Sequence, residues 1–111
     1  REGGGRPWFN MAKSAEISLM KSLAMTKDLV RDGITFNTIA PGHIYIPGTG
    51  IEDERLHDDE AFVRRLDTEF PMGRMGTPEE VASVIVFACS TSASLLSGTS
   101  IPVDGGESRS F

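Results

Sequence analysis

Two short segments rich in β-branched and aromatic residues, with a helical pattern between them, constrain the fold of this chain most strongly. Ile34–Ala40 resembles a strand that ends at Pro41-Gly42, and Thr99–Val103 resembles a second strand that ends at Asp104-Gly105-Gly106. Strands joined by a helical crossover pair in parallel, with a right-handed connection. Pro102 cannot donate a ladder hydrogen bond, which favours a sheet edge for the second strand. Because parallel sheets normally have several strands and two covered faces, we expect an α/β fold whose sheet needs neighbours from an absent N-terminal half, a second chain, or both.

Helical patterns precede and separate these two strand segments. Residues 1–8 are rich in glycine and are predicted to form a loop, and an amphipathic helix is predicted from Asn10 to Asp32. Asn10 is a candidate N-cap, and Gly33 stands where a left-handed glycine commonly ends a helix. The apolar residues of this helix that fall close to one face are Ala12, Ala15, Leu19, Leu23 and Val30.

The clearest helix start in the chain is Thr77-Pro78-Glu79-Glu80. It offers an N-cap hydroxyl, a proline at the first helical position and a glutamate at the third, which together form a capping box. A helix is therefore predicted from Pro78 to about Ser90. Upstream, residues 43–60 show no period and are predicted to form a loop, followed by a short amphipathic helix from about Asp59 to Thr68.

Charge and composition argue against several classes of function. The net charge is −5, and no run of Lys or Arg exceeds two residues, so nucleic acid and anionic membrane surfaces are unsuitable partners. Six of the nine residues Glu52–Glu60 are acidic, which favours a solvated lid over paired catalytic carboxylates. No apolar run resembles a signal peptide or a membrane span, so we expect a cytoplasmic protein. Cys89 lies in an apolar run and is expected to be a small buried hydrophobe, and His43 and His57 do not form a metal-ligand pattern.

Four further motifs follow one another along the chain, namely Phe9–Ala15, Asn37–Ile44, Pro71–Ala82 and Ser97–Gly106. In this order they resemble the active-site helix, the strand and turn facing the nicotinamide, the helix start after the substrate loop, and the last strand of classical short-chain dehydrogenases/reductases. The resemblance implies the C-terminal portion of a Rossmann-type parallel sheet. It assigns residues 10–32 to the active-site helix, 34–42 to the strand and nicotinamide turn, 43–70 to the substrate lid, and 78–106 to the last helix and strand.

The resemblance also implies a chemistry, which is NAD(P)-dependent oxidation or reduction of a small hydroxy or keto substrate. In the family a Tyr stands four residues before a Lys, so both side chains share one face of a helix. The Lys ammonium favours the phenolate of a Tyr whose ordinary pKa is about 10, and the Tyr passes a proton to or from the substrate oxygen. Here Lys13 is present, but Phe9 occupies the Tyr position and has no proton to give.

Cofactor contacts are implied for a small set of residues. Lys13 is implied to hold the ribose hydroxyls, and Pro41, Gly42, Ile44 and Ile46 to border the nicotinamide. Ile46 stands where many relatives carry a hydrogen-bonding Thr, so main-chain groups of the turn are left to meet the carboxamide. We expect Lys13 to face the pocket that the Pro41-Gly42 turn borders.

Two parts of the family's active site have no counterpart in this sequence. No strand precedes Gly3-Gly4-Gly5, so this glycine run is not the phosphate-binding loop, and the family's catalytic Ser also lies on an earlier strand. The sequence therefore predicts a truncated oxidoreductase that is inactive by itself, with NAD and NADP both open. The alternative is a non-catalytic assembly or binding module, because the resemblance implies subunit contacts, and hence a homo-oligomer, through the active-site helix and the last helix and strand.

Overall fold

The computed structural model describes residues 7–108 and has α/β architecture, which confirms the predicted fold class. Its elements in chain order are α1 (Pro7–Ala24), α2 (Lys27–Arg31), β1 (Thr38–Pro41), α3 (Gly50–His57), α4 (Asp59–Glu69), α5 (Pro78–Ala88), a 3₁₀ turn (Thr91–Ala93) and β2 (Ser100–Val103). The chain divides into two compact units. One unit holds the residues up to Ile39 together with Val86–Ile101, and the other holds Ala40–Ile85 together with the residues from Pro102.

β1 and β2 form a two-stranded parallel sheet. The N–H of Thr38 donates to the carbonyl of Thr99 over 2.9 Å, and the N–H of Gly42 donates to the carbonyl of Val103 over 3.0 Å. Both partners advance by the same number of residues between these bonds, so the strands run in the same direction in one register. The predicted parallel pairing is confirmed, and no third strand joins the sheet within residues 7–108.

The first strand is shorter than predicted, since Thr38–Pro41 replaces Ile34–Ala40. The polar groups just before it bond to side chains or loops instead of a ladder. The N–H of Phe36 donates to the hydroxyl of Ser97 over 3.2 Å. The Asn37 side chain donates to the carbonyl of Leu96 over 3.0 Å and accepts from the N–H of Thr99 over 3.3 Å. The Asn37 side chain thereby bonds to the backbone of two residues that precede β2, and it holds this segment beside the start of β1 without extending the sheet.

The predicted single helix from Asn10 to Asp32 is wrong, because α1 ends at Ala24 and α2 begins at Lys27. Thr26 between them is extended, with φ −78° and ψ 107°, and its hydroxyl donates to the carbonyl of Ser22 over 3.1 Å. A threonine that bonds back to the fourth preceding carbonyl offers the backbone an alternative to the helical ladder. The periodic pattern of apolar residues continues across this break and therefore concealed it.

The ends of this helical region partly follow the prediction. Asn10 lies inside α1, which already includes Pro7, so its assignment as N-cap is wrong. Pro7 and Trp8 are helical where a loop was expected, and residues 1–6 lie outside the described residues. Gly33 has φ 83°, its N–H donates to the carbonyl of Val30, and the next N–H donates to that of Leu29. These two bonds form a Schellman motif, as the position of Gly33 predicts.

The acidic segment after β1 contains a helix that the sequence pattern did not predict. A loop was expected over residues 43–60, but Gly50–His57 forms α3. Tertiary contacts stabilise this polar helix, since Ile51 packs against the buried cluster of Phe62, Phe70 and Met75. α4 spans Asp59–Glu69, which agrees with the predicted amphipathic helix, and Asp58 caps it by accepting from the N–H of Ala61 over 3.1 Å.

α5 begins as the capping box predicts. The hydroxyl of Thr77 accepts from the N–H of Glu80 over 3.2 Å, and the Glu80 carboxylate accepts from the N–H of Thr77 over 3.0 Å. Two of the free N–H groups at the helix start are thereby satisfied by side chains at reciprocal positions. The helix continues to Ala88, close to the predicted end.

Much of the apolar surface of α1 and α5 is uncovered. Neither helix contains a buried residue, and the side chains of Leu19 and Phe87 are 61% and 51% exposed. The expectation that Cys89 is buried is wrong, since it is exposed at the end of α5. Helices beside a parallel sheet normally bury such faces against several strands, and residues 7–108 supply two.

Candidate functional site

Phe9 and Lys13 lie one helical turn apart on α1, as their spacing predicts. The Nζ atom of Lys13 lies 5.5 Å from the centroid of the Phe9 ring and 3.8 Å from Oε1 of Glu16. The Trp8 ring meets the Phe9 ring edge to face, with centroids 6.0 Å apart. The helix therefore presents an ammonium beside an aromatic ring that has no oxygen, which offers a cation–π contact in place of an acid–base group.

The turn after β1 requires glycine at position 42. A Cβ atom there would lie 2.6 Å from Oε1 of Glu107, 2.7 Å from Cβ of Asp104 and 3.0 Å from its Cα. The backbone of the turn approaches the residues after β2 so closely that a hydrogen atom is the only side chain that fits. The turn that begins at Pro41 is thereby held against the end of the second strand.

Glu107, which sequence reasoning missed, holds His43 at two points. Its Oε1 accepts from the N–H of His43 over 3.0 Å, and its Oε2 contacts the ring Nδ1. The Phe70 ring lies edge to face with the imidazole, with centroids 5.4 Å apart. The carboxylate fixes which ring nitrogen faces it, and Nε2 bonds to no described residue. The two residues are 64 positions apart, so no local pattern could have indicated the pair.

Ile44 and Ile46 continue the turn. A parallel bridge joins Ile44 to Gly76, in which the N–H of Tyr45 donates to Gly76 and the N–H of Gly76 donates to His43, each over 2.9 Å. These bonds use the groups of the neighbouring residues, so the N–H and C=O of Ile44 bond to no described residue. The side chain of Ile46 is exposed and apolar, so it has no group with which to form a hydrogen bond.

The start of α5 adds a tight ion pair to the same unit. Nη1 and Nη2 of Arg74 donate to Oε1 and Oε2 of Glu80, each over 2.9 Å. This bidentate bonding from Arg74, followed by the hydrogen bond from the Thr77 backbone, lowers the pKa of Glu80 from 4.5 to about 2. A groove of about 420 Å³ lies beside the pair, between Met72 and the Asp104-Gly105-Gly106 turn.

A second, mostly apolar cleft of about 380 Å³ lies beside α4. Its lining residues are Tyr45, Arg55, Asp59, Phe62, Val63, Leu66, Arg74 and Met75. The Arg55 guanidinium lies 5.7 Å from the centroid of the Tyr45 ring, which itself meets the Phe62 ring edge to face. The sequence pattern did not indicate this cleft, because α3 was predicted to be a loop.

The residues predicted for one site fall into two groups. Phe9 and Lys13 belong to the first compact unit, and the turn from Pro41 to Ile46 belongs to the second. The roles of these residues toward a cofactor remain predictions. Within residues 7–108, no group of three or more His, Cys, Asp or Glu side chains could hold a metal ion. No described helix is both long and apolar enough to span a bilayer.

The family model described as enoyl-(acyl carrier protein) reductase matches residues 2–108. The chain belongs to the short-chain dehydrogenase/reductase family. One curated relative, acetoacetyl-CoA reductase of Rhizobium meliloti, is 35% identical over 103 residues, which are 93% of this chain and 40% of the relative. The chain thus spans well under half of the length of that reductase.

Solved structures of short-chain dehydrogenases/reductases agree with the fold. The NADPH-dependent reductase YwfH is 29% identical with a TM-score of 0.81, covering 99% of this chain and 43% of YwfH. A 3-oxoacyl-(acyl-carrier-protein) reductase from Agrobacterium tumefaciens with NADP bound is 33% identical with a TM-score of 0.74, covering 85% of this chain and 35% of that protein. As the motif order predicts, this chain corresponds to the C-terminal portion of such proteins.

Proposed function

We propose that this chain is the C-terminal part of an NAD(P)-dependent oxidoreductase acting on a hydroxyl or keto group, and that it does not transfer hydride by itself. The observation that carries the proposal is the Phe9–Lys13 pair, in which an aromatic ring and an ammonium share one helix face. That is the arrangement the family uses for proton transfer, with the phenolic oxygen removed. The NADPH dependence of YwfH and the NADP bound to the Agrobacterium reductase support the choice of cofactor.

The residues of the turn fit a nicotinamide through their main chain. The N–H and C=O of Ile44, which bond to no described residue, match the oxygen acceptor and the N–H donor of a carboxamide. Ile46 adds an apolar wall where a hydroxyl would have added a hydrogen bond. A bound nicotinamide would supply the hydride acceptor or donor. In this proposal Lys13 holds the ribose hydroxyls.

Loss of the phenol accounts for the proposed lack of activity. A positioned acid–base group contributes about 10²–10⁴-fold to rate, which corresponds to roughly 3–5.5 kcal/mol of barrier. Phe9 has no proton to give and cannot supply that contribution. The chain also spans 40% of the acetoacetyl-CoA reductase that it matches, and the phosphate-binding part of a dinucleotide site lies early in such folds.

Substitution Phe9→Tyr tests the geometry that carries the proposal. A phenol placed beside the Lys13 ammonium should titrate below the ordinary tyrosine pKa of about 10, because the nearby cation favours the phenolate. Ultraviolet titration of the variant, with the titration of the unmodified chain subtracted, measures the pKa of the added phenol. The same variant carrying Lys13→Met is the control, and its phenol should return to the ordinary value. Equal titration with and without the lysine would refute the proposed acid–base position.

Nicotinamide mononucleotide tests the turn. We expect it to shift the backbone amide resonances of Ile44 and Ile46 in NMR spectra, with no oxidation of NADH or NADPH by the chain in a spectrophotometric assay. The Gly50→Ala variant should show the same resonance shifts as the unmodified chain, because a methyl group there meets nothing within 4 Å. Shifts confined to other segments would contradict the nicotinamide role of the turn, and turnover by this chain would contradict its inactivity.

A second candidate function is that of a non-catalytic assembly module, which the uncovered faces of α1 and α5 favour. Trp8, Met11 and Leu19 are 66%, 72% and 61% exposed on α1, and Val86 is 70% exposed on α5. Exposed apolar surface of this kind is typical of protein–protein contacts. We expect light scattering to show a dimer or a larger species that Leu19→Glu disrupts, whereas Leu56→Glu on α3 does not. A monomer at all concentrations would eliminate this candidate.

A further inference from the structure

The cleft beside α4 combines an apolar interior with three charged lining residues, Arg55, Asp59 and Arg74. Phe62 and Met75 are buried at its base, and Val63 and Leu66 of α4 form a wall. Tyr45 closes another side, with its ring edge to face against Phe62 and the centroids 6.3 Å apart. A cleft of about 380 Å³ lies within the size range of small-molecule sites and accommodates a short chain or ring of carbon atoms.

The arginines around this cleft differ in whether a carboxylate already neutralises them. Arg74 donates two hydrogen bonds to Glu80. Arg55 forms no ion pair with a described residue, and its guanidinium lies over the Tyr45 ring instead. Arg55 is therefore the cleft arginine whose five N–H donors remain available to a ligand.

We propose that this cleft binds an amphiphilic acid, with its apolar chain against Val63 and Leu66 and its carboxylate bonded to Arg55. The proposal rests on the proposed oxidoreductase function, in which residues 43–70 form the substrate lid, and it narrows the substrate class to hydroxy or keto acids with an apolar portion. The planar guanidinium matches a carboxylate with two parallel hydrogen bonds. Its position over an aromatic ring leaves the in-plane N–H groups free for these bonds.

The second charged group at the rim sets the orientation of the acid. Asp59 lines the same cleft and repels a carboxylate, whereas Arg55 attracts it. An amphiphilic amine would reverse both interactions. Because a guanidinium bonds a carboxylate with two parallel hydrogen bonds, the proposal predicts that octanoate binds more tightly than octanol or octylammonium of equal chain length.

The test is an NMR titration of the 111-residue chain with these three compounds, without cofactor. We expect octanoate to shift amide resonances in α4 and near Met75. Arg55→Gln should weaken octanoate binding by about three- to tenfold without changing octanol binding, since it removes one exposed charge-assisted contact. Arg64→Gln is the matched control, because Arg64 is an exposed arginine of α4 that does not line the cleft. Val63→Gln, at a residue that is 55% exposed, should weaken octanoate and octanol alike.

Each outcome decides the proposal. Equal affinity for octanoate and octanol, an unchanged affinity of the Arg55→Gln variant, or shifts outside the cleft would overturn it. Because Arg55, Arg64 and Val63 are exposed, these substitutions do not disturb the buried cluster, and the amide spectra of the variants verify that the fold is kept. The titration contains no nicotinamide, so its failure is separate from a failure of the oxidoreductase proposal, which the Phe9→Tyr and mononucleotide experiments test.

Discussion

Substitution of Gly42 by alanine should destabilise the turn after β1 far more than the loss of one hydrogen atom suggests. The added methyl carbon would lie 2.6 Å from Oε1 of Glu107, 2.7 Å from Cβ of Asp104 and 3.0 Å from its Cα. The Glu107 side chain can rotate away, but Asp104 Cα is backbone and can move only together with the end of β2. Overpacking of this kind typically costs about 1–3 kcal/mol. For a chain of this size, each kcal/mol lowers Tm by about 4–8 °C, so the expected decrease is roughly 4–24 °C.

Thermal unfolding followed by circular dichroism measures this effect, and Gly50→Ala provides the matched control. Gly50 begins α3, and a Cβ atom there would meet nothing within 4 Å. Alanine at a compatible helical position is expected to stabilise by about 0.4–1 kcal/mol, so the two variants should shift Tm in opposite directions. Adding Glu107→Ala to Gly42→Ala should not restore the stability, because the contact with Asp104 remains and the bonds of Glu107 to His43 are lost. Full recovery in the double variant, or a Gly42→Ala variant as stable as the original, would refute the steric argument.

Three further predictions concern individual side chains. The pKa of Glu80 is lowered from 4.5 to about 2, with Arg74 as the main cause, so its stabilising effect is complete above pH 4.5 and is lost as the pH falls toward 2. The free energy of unfolding should therefore depend less on pH over this range in the Glu80→Gln variant than in the unmodified chain. The Glu107 carboxylate faces Nδ1 of His43, so long-range NMR correlations should find the proton on Nδ1 in mildly alkaline buffer. Glu107→Ala should move the population toward the other tautomer, and an unchanged tautomer would exclude an orienting role for Glu107. Cys89 is exposed, so a thiol reagent should modify it in the native chain about as fast as in denaturant, whereas strong protection would indicate that another surface covers it.

The sequence determined the features that depend on neighbouring residues. The capping box at Thr77 and Glu80, the left-handed Gly33 and the pairing of Phe9 with Lys13 on one helix face all follow from spacings of up to four residues. The order of the motifs indicated the family, and the helical crossover between the two strands predicted their parallel pairing. The capping box, the left-handed Gly33 and the Phe9–Lys13 pair require no knowledge of which distant segments meet.

The tertiary structure decided what depends on distant partners. α3 is helical although its sequence shows no apolar period, because Ile51 reaches the cluster around Phe62 and because Glu54 bonds to Arg65. Glu107 meets His43 across 64 positions, and no pattern in the sequence indicates that encounter. Apolar periodicity shows which face of a helix could be buried, but burial needs a covering surface, and for Cys89 the described residues supply none. Local conformational preferences therefore depend on residues close in sequence and can be predicted from them. The exposure of a side chain and its long-range partners depend on which separate segments the folded chain brings together.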